Sequence, residues 1–245
     1  VMIPETLVFD DKNDLVATAA NRFVDLVTRA QTERGVASVV LTGGSNGIAI
    51  LRALAADSGD IDWSRVELFW GDDRFVPADD PERNYGQARD ALLDHVPVDP
   101  DRIHPMAASD GEFGDDITAA ASAYARVLGH VGTGQVPHFD LHLLGMGGEG
   151  HINSLFPHTA ATAETEKTVV AVEESPKPPP RRITLTLPVV NRSKAVWFLV
   201  AGADKADAVA AAHTGASAAD WPCAGAHGTD ETVWFLDRPA ASRIS

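Results

Sequence analysis

The sequence predicts an α/β fold, a mainly parallel, Rossmann-like open sheet with helices on both faces. Three observations carry this. Short apolar runs of strand length recur along the 245 residues. Segments with apolar residues at helical spacing lie between them. The two kinds alternate from end to end, the pattern of layered α/β proteins. No internal repeat or low-complexity tail interrupts the alternation, so residues 1–245 read as a single domain.

Taken in order, residues 6–9 read as a first strand. Asn13 or Asp14 caps a helix to Arg34, with Val16, Ala19, Ala20, Phe23, Val24 and Val27 on one face and Gly35 as its stop. Val36–Leu41 is a buried-type strand, followed by the turn Thr42-Gly43-Gly44-Ser45-Asn46-Gly47 and a helix over 48–56. Val66–Trp70 is the next strand. Helices are predicted over 84–94 and 115–128, and strands over 139–144 and 168–172. Glu173–Pro180 reads as a stiff, extended connector. An alternating strand over 183–187, a buried strand over 195–201, an alanine-rich helix to about Ala212 and a last strand over 232–236 complete the chain.

Apolar residues make up 44% of the chain, enough for a substantial core, and the formal net charge is -15. That charge argues against a nucleic-acid surface or an anionic membrane as partner. An anionic small molecule requires a local positive pocket. Cys223 is the only cysteine, so no intrachain disulfide forms, which suits a reducing cytoplasm. The first residues show no signal-peptide pattern, and no apolar run approaches membrane-spanning length.

Four predicted turns follow predicted strands and carry the chemistry. Gly43–Gly47 sits between strand and helix, a layout that serves as an ordinary βα turn or as a phosphate cradle of free N–H groups. Gly71-Asp72-Asp73-Arg74 places two carboxylates and an arginine at a strand end, either as surface ion pairs or as a held arginine aimed at developing negative charge. Gly145-Met-Gly-Gly-Glu149-Gly-His151 places a carboxylate beside an imidazole. Lys205 follows the strand over 195–201. Parallel strands bring such turns to one edge of a sheet.

Several chemistries fit poorly. Gly145, Gly147 and Gly150 match the dinucleotide fingerprint, but Pro157 comes too early for the long helix that motif requires, and Glu164 and Glu166, near the required distance, precede the next strand instead of ending it. No G-x-x-x-x-G-K occurs. His138, His142 and His151 lack zinc-site spacing, and the first two read as structural. Ser45 and Ser154 lie in no nucleophile elbow. The expectation is no metal and no cofactor.

Taken together, Leu41-Thr-Gly-Gly-Ser45, Trp70-Gly-Asp-Asp-Arg74, Asn84-Tyr85, Gly145–His151 with Ser154-Leu-Phe-Pro157, Pro180-Arg-Arg-Ile-Thr184 and Lys205-Ala206 resemble the 6-phosphogluconolactonase branch of the family that also holds glucosamine-6-phosphate deaminases. The pieces span most of the chain in the family's order. The family usually has Asp where Glu149 stands and often Glu where Asp73 stands. Its deaminases carry a glutamate where this chain has Phe156, which cannot move a proton.

The resemblance implies a deaminase/ribose-phosphate isomerase-like fold and hydrolysis of 6-phospho-D-glucono-1,5-lactone to 6-phospho-D-gluconate, the second step of the pentose phosphate pathway. It implies His151 as general base, Glu149 as its orienting partner, and Arg74 facing the oxyanion, held by Asp72 or Asp73. Substrate contacts are expected from Thr42, Gly43, Gly44, Ser45, Asp73, Arg182 and Lys205, with Arg182 matching the family's arginine better than Arg181. A cytoplasmic monomer or weak homo-oligomer is expected. The alternatives are a deaminase/isomerase and a non-catalytic sugar-phosphate sensor.

Overall fold

The computed structural model describes residues 2–244. Six parallel strands form the main sheet: β1 (Glu5–Phe9), β2 (Ala37–Leu41), β3 (Val66–Trp70), β5 (Leu141–Leu144), β8 (Ala195–Val200) and β9 (Glu231–Asp237). Their order is β1-β9-β8-β5-β2-β3. A second, antiparallel sheet holds β4 (Asp72–Arg74), β7 (Arg182–Leu185) and β6 (Val169–Val172), in the order β4-β7-β6. Strands over 168–172 and 183–187 were expected, but not their pairing in a separate sheet with β4. Its members are only three or four residues long, and pairing direction leaves no periodicity mark.

Gly71 is the corner between the sheets. Its N–H donates to Leu41 of the main sheet (3.1 Å), and its carbonyl accepts from Leu185 of the second (2.8 Å). A β-carbon at Gly71 would overlap the side-chain amide of Asn153, so only glycine lets the chain cross here.

The helices follow from local chemistry. In α1 (Lys12–Arg34) the cap is Asp11, ahead of the expected Asn13 or Asp14, its carboxylate accepting from the Asp14 N–H at 2.9 Å. Gly35 stops it in the left-handed region, φ 86°. The next helix, α2 (Gly44–Ala56), starts four residues before the expected position. The glycine turn is therefore the helix's own first turn. Further along come α3 (Asn84–Ala91), α4 (Ile117–Val131) and α7 (Ala206–His213); the single-turn helices α5 (Ala160–Ala163) and α6 (Leu187–Val190) are too short to show a period.

Alternation along the buried strands sorts the core into two faces. Val39, Leu41, Leu143, Trp197 and Leu199 pack with α1, α2 and α3. On the other face, Val196, Phe198 and Val200 pack with α7, while Val40 and Phe69 pack with α4 and the second sheet. Both faces are thus covered, as parallel sheets require. From β2 the chain proceeds outward to β3, and from β5 it proceeds the other way to β8 and β9. Strands β2 and β5 are neighbours, so the order reverses between them. A crevice opens beyond their carboxyl ends, the usual ligand position in such sheets.

Candidate active site

The crevice is a cleft of about 160 Å³ lined by the turns after β2, β3, β5 and β8. Two of these turns touch: the Gly145 N–H donates to Thr42 Oγ1 at 3.3 Å. Gly43 and Gly44 line the cleft at the start of α2, where the first-turn N–H groups lack helical acceptors. The exposed Ser45 side chain is not part of the lining; its backbone belongs to that first turn.

His151 lines the cleft and its Nδ1 hydrogen-bonds to Glu149 Oε1. A carboxylate only accepts, so Nδ1 carries the proton and Nε2 holds the lone pair. The imidazole hydrogen bond, with help from its charge and from Lys177, holds the Glu149 carboxyl well below the usual carboxylate range; partial burial opposes this. The other oxygen, Oε2, pairs with Lys177 Nζ at 3.0 Å. The turn is tight, with the Gly147 N–H donating to the His151 carbonyl (3.0 Å). A β-carbon at Gly147 would overlap both the imidazole and the Glu149 carboxylate.

Phe156 backs the imidazole, ring on ring at 4.5 Å between centroids. The Arg182 guanidinium lies 5.6 Å from the same phenyl ring. His151 and Arg182 are therefore joined through one benzene ring and lie within the length of a hexose phosphate.

Alternation in β4 divides its three residues. Asp72 and Arg74 line the cleft, and Asp73 does not. Arg74 Nη1 donates to the Glu82 carbonyl (2.7 Å) and carboxylate (3.2 Å), so Glu82, and neither aspartate, holds it. Asp72 instead accepts from Ser154 Oγ (2.6 Å) and Asn84 Nδ2 (3.4 Å). This leaves Ser154 fully buried and engaged.

Asp73 faces away, 1% exposed. Its carboxylate accepts from the N–H groups of Arg74 (2.7 Å), Asn84 (2.7 Å) and Tyr85 (3.1 Å) and pairs with Arg83 (3.5 Å). It caps α3 from a neighbouring strand and is not itself part of the cleft lining. Burial pushes its carboxyl up to about 6, against the pull of Arg83 and the three N–H groups.

Arg182 enters the cleft from β7, while Arg181, one residue earlier, points the other way to Asp115 and stacks over Phe75. Burial lowers the Arg182 pKa; Asp72 opposes that and Arg74 adds to it. The Arg182 Nε donates to the Pro179 carbonyl and its Nη2 to those of Lys177 and Pro178, at 3.1 to 3.2 Å. Lys205 lines the cleft and pairs with Asp204 at 3.6 Å.

Four cations, Arg74, Lys177, Arg182 and Lys205, thus line the cleft with one carboxylate, Asp72. This is the local positive pocket that an anionic ligand needs on a chain of charge -15. Among the described residues no group of three or more His, Cys, Asp or Glu could hold a metal ion. His142 is buried and hydrogen-bonds Asn153 Nδ2 at 3.3 Å. Burial drives its pKa down to about 3, so it is a neutral core residue.

Sequence reasoning missed Lys177, Asn84 and Asn153 in the lining. Lys177 sits between prolines in the stretch read as a connector. Asn84 lay within a matching piece but received no role. Asn153 stands at φ 48°, a conformation that asparagine tolerates, and its identity alone gave no signal.

The family model described as glucosamine-6-phosphate isomerases/6-phosphogluconolactonase matches residues 10–234. The 6-phosphogluconolactonase of Mycobacterium tuberculosis is 57% identical over 97% of both chains. That of Streptomyces coelicolor is 51% identical over 98% of this chain and 95% of its own. The solved 6-phosphogluconolactonase of Trypanosoma brucei superposes with a TM-score of 0.83 at 26% identity, covering 100% of each chain. A monomeric glucosamine-6-phosphate deaminase superposes at 0.81 with 22% identity over 98% of this chain and 99% of its own, which speaks for the fold alone. The chain belongs to the glucosamine-6-phosphate isomerase/6-phosphogluconolactonase family.

Proposed function

We propose that this chain is a 6-phosphogluconolactonase, hydrolysing 6-phospho-D-glucono-1,5-lactone to 6-phospho-D-gluconate in the pentose phosphate pathway. The observation that carries the proposal is the pairing of His151 with Glu149 at the edge of a cleft lined by four cations.

A lactone is a cyclic ester, so its opening needs an activated water and a stabilised oxyanion. His151 takes a proton from the attacking water at Nε2, the nitrogen that Glu149 leaves free. Glu149 fixes the tautomer and favours the imidazolium that forms. Arg74, oriented by Glu82, faces the carbonyl oxygen as it gains charge. The proton then passes from the imidazolium to the departing ring oxygen. Arg182, Lys205 and the first turn of α2 with Thr42, Gly43 and Gly44 receive the remote phosphate. Asp72 acts by holding Asn84 and Ser154 at the wall of the cleft. Asp73 acts on the scaffold, as the cap of α3.

Phe156 favours lactone hydrolysis over deamination, because it fills the place of the deaminase glutamate with a ring packed on His151. The reading includes a cytoplasmic enzyme, for which the lone, buried Cys223 is suited, working as a monomer or weak homo-oligomer. The test is lactone opening followed against the spontaneous rate, with glucosamine 6-phosphate as a parallel substrate. Acceleration of the first and no ammonia from the second is expected. Ammonia release without lactone opening would reverse the assignment.

A further inference from the structure

The segment 173–180 does more than connect β6 to β7. The Ser175 N–H donates to the Pro180 carbonyl at 3.0 Å, closing the segment on itself. Arg182 takes the carbonyls of Lys177, Pro178 and Pro179. The backbone of residue 177 is thereby tied to a buried cleft residue. Its side chain reaches Glu149 Oε2 at 3.0 Å, while Glu149 Oε1 is taken by His151.

From this geometry we infer that Lys177 is a positioning residue for the general base, holding the outer oxygen of Glu149 so that the inner one stays on His151 Nδ1. The inference rests on the lactonase reading and deepens it. An exposed lysine–carboxylate pair contributes little to folding stability, and Lys177 is 48% exposed. Its contact is with the one carboxylate that orients the catalytic imidazole. Without it Glu149 keeps one anchor and rotates about its side-chain bonds, and the imidazole loses its fixed direction toward water.

Lys177 also adds charge. The groups facing the imidazole are Glu149 on its own turn, Lys177 on the segment before β7, Asp72 and Arg74 on β4, Arg182 on β7 and Lys205 before α7. Removing the ammonium takes one positive charge from this set. The loss of this charge and the loosening of Glu149 both change the balance between imidazole and imidazolium.

The experiment compares wild type, Lys177→Met and Lys177→Arg in three readouts: steady-state lactone hydrolysis, its pH profile, and NMR titration of the His151 imidazole without substrate. Lys177→Met should lose about tenfold in kcat, the loss of one charge-assisted contact, with KM within about twofold. The acid limb of kcat/KM and the NMR titration should both leave their wild-type positions, and by the same amount. Lys177→Arg should restore most of the rate. A raised KM with unchanged kcat and unmoved titration would make Lys177 a substrate-binding cation instead and overturn the inference. So would an active Lys177→Met indistinguishable from wild type in all three readouts. An inactive wild type overturns the functional reading itself, and the NMR titration still decides whether Lys177 acts on the imidazole.

Discussion

Arg74 and Arg182 stand directly opposite one another across the antiparallel pair of β4 and β7. Like charges at opposed positions destabilise a sheet, and here one of them is only 4% exposed. Asp72, nearby on β4, offsets part of the repulsion felt by Arg182. Such a pair gains most when negative charge reaches both guanidinium groups, a phosphate at Arg182 and a developing oxyanion at Arg74. The arrangement costs stability in the free chain and favours binding of a phosphorylated ligand.

Ligand-linked stability follows from that opposition. Saturating 6-phosphogluconate, at about 100 times its Kd, should raise unfolding free energy by about 2.7 kcal/mol. In Arg182→Met the rise in Tm at the same concentration should largely vanish, because the phosphate loses this buried guanidinium. Thermal melts with and without ligand check this. An unchanged ligand shift in the variant would remove Arg182 from the phosphate site.

Arg74 should act differently from Arg182. Its place near the carbonyl predicts that Arg74→Ala lowers kcat by about 10² with little change in KM, the behaviour of a group that binds the transition state preferentially. Glu82→Gln keeps the backbone carbonyl contact and should lose far less. Initial-rate kinetics of both variants separate orientation from direct stabilisation. A pure KM effect in Arg74→Ala would make this arginine a phosphate ligand.

The overlap at Gly147 gives a test of imidazole placement. Gly147→Ala puts a methyl group where the His151 ring and Glu149 carboxylate now lie. The ring must move, and a displacement of about 1 Å near the reacting atoms can cost 10²-fold in rate. Product binding should change little, since the cations sit on other elements. Retained kcat would show that the ring has room to spare.

Much of this site was legible in the sequence because glycine-rich turns after apolar strands announce themselves. The turns at Gly43, Asp72, Glu149 and Lys205 all follow strands of the parallel sheet and all meet at its switch point. The start of α2 was placed too late because Thr42–Gly47 reads as loop chemistry, whereas the helix begins within it. The partners of the carboxylates were not legible. Asp72 and Asp73 are adjacent in sequence, yet strand alternation sends one to Ser154 and the cleft and the other to α3. Lys177 was hidden for a related reason: its place in the site depends on Arg182 holding three carbonyls, a tertiary contact that no local pattern encodes.

Asp73 predicts a pH dependence of stability. Its carboxyl titrates at about 6 in the folded chain and near 3.9 when unfolded. The folded state therefore binds this proton more tightly. Asp73's contribution to stability is fully present below about pH 4 and falls as pH rises through about 6. Asp73→Asn lacks that titration. The wild-type-minus-variant stability should decline across this window by on the order of a few kcal/mol, read from urea melts at several pH values. A difference that grows with pH would mean that Arg83 and the N–H groups outweigh burial.

The most direct measurement is lactone opening by His151→Asn, a variant that keeps a polar group near Glu149 but has no titrating nitrogen to accept a proton from water. The account predicts a rate close to the spontaneous one, while 6-phosphogluconate still binds within about threefold of the wild-type Kd, since its phosphate rests on Arg182 and Lys205. Hydrolysis that continues at the wild-type rate in this variant would contradict general-base catalysis by residue 151.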